Sequence, residues 1–222
     1  MAAMPIPELM SGWQRFRAGR FRDQRALFDR ITREGQRPTV AMVACCDSRV
    51  DPAIVFDCDP GDLFVVRNVA NLVPPFEESG SYHGTSAALE FAVSVLAVRD
   101  VVVIGHSQCG GIRSLLEGPP PTSSPMRFLT SWMTLAQEAR IAATTAPLLQ
   151  ARERATLCER LAIRVSLRNL MTFPAIRERV ERGALRIHGW HFDLADGVLT
   201  MFDPASNRFL PTADEPGLEA AN

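Results

Sequence analysis

A chain of 222 residues is long enough to bury a sizeable core without the help of disulfides. With 46% apolar and 22% charged residues it has globular composition, and a net charge of −1 with scattered charges excludes the concentrated basic face that nucleic acid or anionic lipid requires. Every positively charged side chain among the 24 Lys and Arg is arginine, which excludes a lysine Schiff base and a lysine phosphate clamp.

The first residues contain no apolar run of signal-peptide length, and no segment approaches the ~20 apolar residues of a membrane span, so a soluble cytoplasmic protein is expected. Trp13, Phe16, Phe21, Leu27, Phe28 and Ile31 are spaced among Arg and Asp as on an amphipathic helix ending near Gly35. This arm, residues 1–35, is suited to lie across a partner subunit. Val40 to Ala44 reads as a short buried strand stopping at Cys45. Leu63 to Val66, after the Pro60-Gly61 turn, gives a second strand, and Val101 to Gly105 a third. Gly84 to Val98, rich in Ala, Leu, Phe and Val, suits the helix of a parallel crossover. Residues 125–182 hold two or three helical stretches interrupted near Pro147 and Pro174. Ala184 to Met201 reads as strand, turn at Asp196-Gly197, and strand. Residues 119–125 and 212–222 read as loop and flexible tail, and there is no internal repeat.

The pattern is α/β, and in open parallel sheets the ligand site lies at the carboxyl ends of the strands. Cys45 and His106 stand at two such ends. His106 and Cys109 are three apart in a glycine-flanked turn, so an imidazole and a thiolate can address one ion, and Cys45 would add a third ligand. Two sulfurs and a nitrogen suit zinc better than magnesium or calcium, and three protein ligands leave the open position of a catalytic zinc. Asp47 would close that position if it reached the metal. Arg49, two residues on, is a fork-shaped donor able to grip the carboxylate and keep the position open.

The five cysteines are an odd number at irregular spacing, which favours thiols and metal ligation over a disulfide framework. Cys46 would point away from Cys45 and is expected to be buried packing, as are Cys58 and Cys158. His188 and His191, three apart on a strand, fall on opposite faces and do not form a second metal site.

At these residues the chain resembles the β-class carbonic anhydrases: Cys45-x-Asp47-Ser48-Arg49, Arg67-Asn68-Val69-Ala70-Asn71 and His106-x-x-Cys109-Gly110-Gly111 stand in that family's order and spacing. Gly84-Thr85 and His188-Gly189-Trp190 extend the likeness over nearly the whole chain, and residues 65–76 look like the plant-type subgroup. The resemblance implies a single domain over residues 1–222, with a parallel sheet of about four strands plus one added edge strand, flanked by helices. It also implies one zinc ion per chain, reversible hydration of carbon dioxide to bicarbonate, and homodimers or larger homo-oligomers joined through the arm.

By the same resemblance Gln36 is the substrate-binding amide, with Phe64 and Val69 as apolar pocket residues. Phe91 stands where the subgroup commonly has Tyr, so a hydroxyl is missing from the pocket. A hydrolase of carbon disulfide or carbonyl sulfide on the same scaffold, and a non-catalytic zinc protein closed by Asp47, are the alternatives. In part of the family bicarbonate binds beside a Trp three residues before the first Cys ligand and swings the aspartate onto the metal. That position is Met42 here, so Arg67 alone should hold the anion poorly and Asp47 should stay with Arg49.

Overall fold

The computed structural model describes residues 5–78, 83–118 and 126–212. The expected loop 119–125 and nearly all of the expected tail lie outside the described residues. The chain divides into two compact units, residues 1–37 and 38–222.

In the first unit the expected helix is three: α1 (Ile6–Ala18), α2 (Arg20–Asp23) and α3 (Arg25–Glu34). The break falls at Gly19, and Gly35, at a φ of 74° that favours glycine, ends the third. Phe16, Phe21 and Phe28 bring their rings together at centroid distances of 4.8–5.9 Å, which explains why aromatics spaced along one helix fold back on themselves.

In the second unit the order is β1 (Val40–Cys45), α4 (Pro52–Val55), β2 (Leu63–Asn68), α5 (Gly84–Glu90), β3 (Asp100–His106), α6 (Gly110–Glu117), α7 (Arg127–Met133), α8 (Gln137–Thr145), α9 (Ala151–Leu170), α10 (Pro174–Glu181), β4 (Arg186–Phe192), β5 (Leu199–Asp203) and β6 (Arg208–Pro211). The apolar stretch after α5 continues as a π-helical turn, Phe91–Val95, rather than as the single helix expected to Val98.

The strands form one sheet in the order β2-β1-β3-β4-β5-β6. The first four are parallel, and β5 and β6 add antiparallel at the β4 edge. Two strands are thus added where one was expected. β6 carries little strand signature because Arg208 to Pro211 is short, mostly exposed and ends in proline, features that blur the alternating pattern of a strand.

Both faces of β1 and β3 are covered, so their sequences read as continuous apolar runs. Ala41, Val43, Val101 and Val103 face a core closed by α5, α9 and α10, while Met42, Ala44, Val102 and Ile104 face Phe56 and Trp190 on the other side. The helix α9 approaches the sheet closely because Gly105 and Gly189 leave room for it. A Cβ at Gly189 would stand 2.8 Å from both Ile163 Cγ2 and Leu167 Cδ1. Here glycine is required by space and not by φ.

Candidate metal centre

The parallel register sets the centre. β1 and β3 are neighbours, Ala44 paired with Ile104, so Cys45 and His106 finish adjacent strands at the same carboxyl edge. Beyond β3 the chain turns sharply through Gln108, a non-glycine at φ 60°, and delivers Cys109 as the residue that precedes α6. Gly111, in the first turn of α6, lies against Val69 and Ala70, where an added Cβ would come within 2.8 and 3.0 Å. The helix start and the turn after β2 are therefore pressed together beside Cys109.

Ligand atoms of Cys45, His106 and Cys109 lie within 4.8 Å of one another, all three residues buried, and form a group able to hold a metal ion. The two sulfurs are 3.9 Å apart. Two thiolates at the usual zinc–sulfur distance with a tetrahedral angle would be about 3.8 Å apart. His106 places Nδ1 2.9 Å from the Ser107 carbonyl, which fixes that nitrogen as the donor. Its Nε2 is buried with no hydrogen-bond partner. An orphaned buried imidazole nitrogen facing two sulfurs is the arrangement a soft divalent metal satisfies, so the residues fit zinc.

The thiols behave as a pair. The interaction with Cys109 pulls the Cys45 thiol far down, and the same interaction, with burial, pushes Cys109 up, so one thiolate forms readily and the second is resisted without a cation. The Gly111 and Ile112 amides at the start of α6 oppose that rise. Burial lowers His106, but the Cys45 sulfur, the Ser107 carbonyl and the Asp47 carboxylate together outweigh that and leave it raised.

Asp47 is turned to Arg49. Arg49 donates from Nε to Oδ1 at 2.9 Å and from Nη2 to Oδ2 at 2.8 Å, and its backbone N–H adds a third bond to Oδ1 at 3.0 Å. This grip holds the Asp47 carboxyl down at about 2. Asp47 Oδ2 remains 4.0 Å from His106 Nε2. Arg67 holds the loop from below, donating to the Cys45 carbonyl at 2.9 Å, the Asp47 carbonyl at 2.7 Å and the Asp51 carboxylate at 2.8 Å.

A family description, carbonic anhydrase, matches residues 40–199. Beta carbonic anhydrase 3 of Arabidopsis thaliana is 34% identical over 203 residues, covering 89% of this chain and 77% of that protein. The chain belongs to the β-class carbonic anhydrase family. A carbonic anhydrase of Synechocystis is 32% identical, covering 92% of this chain and 74% of the relative. Among solved structures, the β-carbonic anhydrase CcaA superposes with a TM-score of 0.86 at 31% identity, over 93% of this chain and 92% of that one. A structure reported as one of two tetrameric β-carbonic anhydrases from Sordaria macrospora gives 0.76 at 26%, covering 92% and 97%.

Of the residues singled out from sequence, this carbonic anhydrase fold gathers Cys45, His106, Cys109, Asp47 and Arg49 in one place. Val69 adjoins them through Gly111, and Phe64 stacks on Phe91 with ring centroids 5.9 Å apart. Gln36 is exposed in the first unit. Cys46 is exposed and Cys58 half-buried, against the expected packing roles, because the chain leaves the strand after Cys45 and the alternation stops; Cys158 is buried. His188 and His191 take opposite faces, bonding Asp100 and Glu159 respectively. Arg67, singled out in its motif and expected to hold an anion poorly, braces the loop through the Cys45 and Asp47 carbonyls. Glu159, which had no sequence signal, reaches the Cys109 N–H from the middle of α9 at 3.3 Å.

Proposed function

We propose that the chain interconverts carbon dioxide and bicarbonate as a zinc hydro-lyase, with Cys45, His106 and Cys109 as the ligands. The observation that carries this is the combination of three converging donors with an aspartate held off them by Arg49. A closed structural site would need no such latch. Zinc, when bound, supplies the Lewis acidity that makes water a nucleophile near neutral pH.

Asp47, ionised and therefore acceptor-only, accepts a hydrogen bond from the nucleophilic water and turns its lone pair toward the substrate carbon. Arg49 keeps the carboxylate in that attitude and balances its charge. Val69, against Gly111 beside Cys109, offers an apolar wall to an uncharged substrate, and the family resemblance assigns Gln36, Phe64 and Phe91 to the same pocket, whereas the charged product gains more from bulk water and leaves. Burial of all three metal ligands keeps solvent from the thiolates themselves.

We further propose a homodimer or larger homo-oligomer, supported by the exposed apolar side chains of Ile54, Val65, Phe91 and Val95 in the second unit and of Ile6, Leu9, Met10 and Trp13 in the first. A reducing, cytoplasmic setting is supported by five cysteines that are all free, and no described helix is long and apolar enough to cross a membrane.

The test is stopped-flow carbon dioxide hydration by the zinc-loaded protein and by Asp47→Asn. The variant should keep its zinc and lose about 10- to 100-fold in kcat, the scale expected when a group orienting the metal centre is changed. Zinc-loaded wild type without hydration activity would sink the reading.

A further inference from the structure

Glu159 lies in the middle of α9, and its side chain is 2% exposed, as is that of His191 on β4. It divides its two oxygens. Oε2 is 2.9 Å from His191 Nε2, and Oε1 accepts the backbone N–H of Cys109 at 3.3 Å. A buried pair of this kind is weak stabilisation by itself, because desolvation offsets most of the attraction and apolar side chains of similar size often serve as well. Its placement against a ligand loop therefore asks for another reason.

The peptide that joins Gln108 to Cys109 supplies one. Its carbonyl accepts from Arg49 Nη2 at 3.1 Å, and its N–H donates to Glu159. It follows a residue at φ 60°, a conformation that costs a non-glycine about 1 kcal/mol or more and persists only where its surroundings impose it. One peptide plane is thus held at both ends, from the solvent side by the arginine that grips Asp47 and from the interior by Glu159. The orientation of that plane sets where the Cys109 Cα–Cβ bond points.

We propose that Glu159, anchored by His191, is a positioning residue of the metal centre. By holding the Cys109 N–H it fixes the direction of Cys109 Sγ and so sets the affinity and ligand field of the site. This rests on the reading of Cys45, His106 and Cys109 as metal ligands.

The experiment compares wild type, Glu159→Gln and the double variant Glu159→Leu with His191→Phe. The double variant removes the buried pair without stranding either partner, leaving only the Cys109 N–H unheld. Zinc affinity is read by competition with a chelator, thiolate-to-metal absorption after loading with Co2+, and folding by thermal melting of the metal-free proteins. The double variant should melt close to wild type yet bind zinc about 10- to 100-fold more weakly, with shifted Co2+–thiolate bands. Glu159→Gln, whose amide oxygen can still accept, should stay within about threefold of wild type with unchanged bands.

Wild-type zinc affinity and bands in the double variant would overturn the proposal, as would a double variant that does not fold, since the pair would then serve the fold. A wild-type protein that binds neither zinc nor Co2+ would instead remove the reading beneath it.

Discussion

Arg49 meets three acceptors with one guanidinium: both Asp47 oxygens and the Gln108 carbonyl. A lysine could supply the charge but not the planar fork, so Arg49→Lys should retain zinc, free Asp47 to wander and lower hydration by about 10-fold, equivalent to about 1.4 kcal/mol of lost orientation. Turnover equal to wild type would show that the fork is dispensable. Cys109→Ser should lose most of the zinc measured by elemental analysis, because a serine hydroxyl stays protonated where a thiolate forms. The candidate latch and the candidate ligand set were legible in the sequence, since Cys45-x-Asp47-x-Arg49 and His106-x-x-Cys109 each carry their chemistry within five residues. Arg67 was visible in its motif but its two carbonyl partners were not, and Glu159 was not visible at all, because each acts on a backbone group brought to it only by the tertiary fold.

At the level of elements, β3 and β4 pair along their whole length, and two contacts bear on how firmly they are held. Gly189 on β4 admits Ile163 and Leu167 of α9, and Gly189→Ala should lower stability by about 1–3 kcal/mol through overpacking, read as a reduced denaturation midpoint at unchanged slope. An unchanged midpoint would mean that α9 can draw back freely.

Asp100, at the start of β3, accepts from Arg186 Nε and Nη2 at 2.8 Å and lies 2.8 Å from His188 Nε2, both on β4. The Arg186 guanidinium, and after it His188, hold its carboxyl below the usual carboxylate range. A carboxylate depressed in the folded state stabilises above its unfolded pKa of about 4, and that gain disappears as pH falls through the folded value. Arg186 is largely exposed, so solvent screens the pair. Asp100→Asn should lower Tm by only about 1–3 °C at pH 7, and the difference from wild type should close as the medium is made more acid than pH 4. A gap that widens in acid would reverse the sign of this argument. β1 and β3 were visible as apolar runs because both their faces are buried, while β6, with one edge and much of its surface in solvent, left no such trace.

Across the whole molecule, what distinguishes this chain is how its arginines are committed. Arg67 spends its donors on two carbonyls and the Asp51 carboxylate, and Met42 lies in the core, 2% exposed. An anion that needed Arg67 would have to break three bonds of the loop that carries Asp47, and a ligand shifts a conformational balance only by its differential affinity. Hydration should therefore show no sigmoidal inhibition by bicarbonate. A sigmoidal dependence, or an Asp47 oxygen about 2 Å from zinc in a crystal grown near neutral pH, would contradict the open arrangement.

The two candidate cysteine ligands, Cys45 and Cys109, stand 64 residues apart and meet only after β1 has paired with β3. A collapsed chain that has not closed this parallel crossover has sulfur in plenty and nowhere to hold a cation, and parallel crossovers are slow steps because their long loops must close first. Metal capture during refolding is then a late event that reports the finished sheet. Refolding in the presence of Co2+ should show its colour rising in step with native tryptophan fluorescence. Colour within the mixing dead time would place assembly of the centre before that of the sheet.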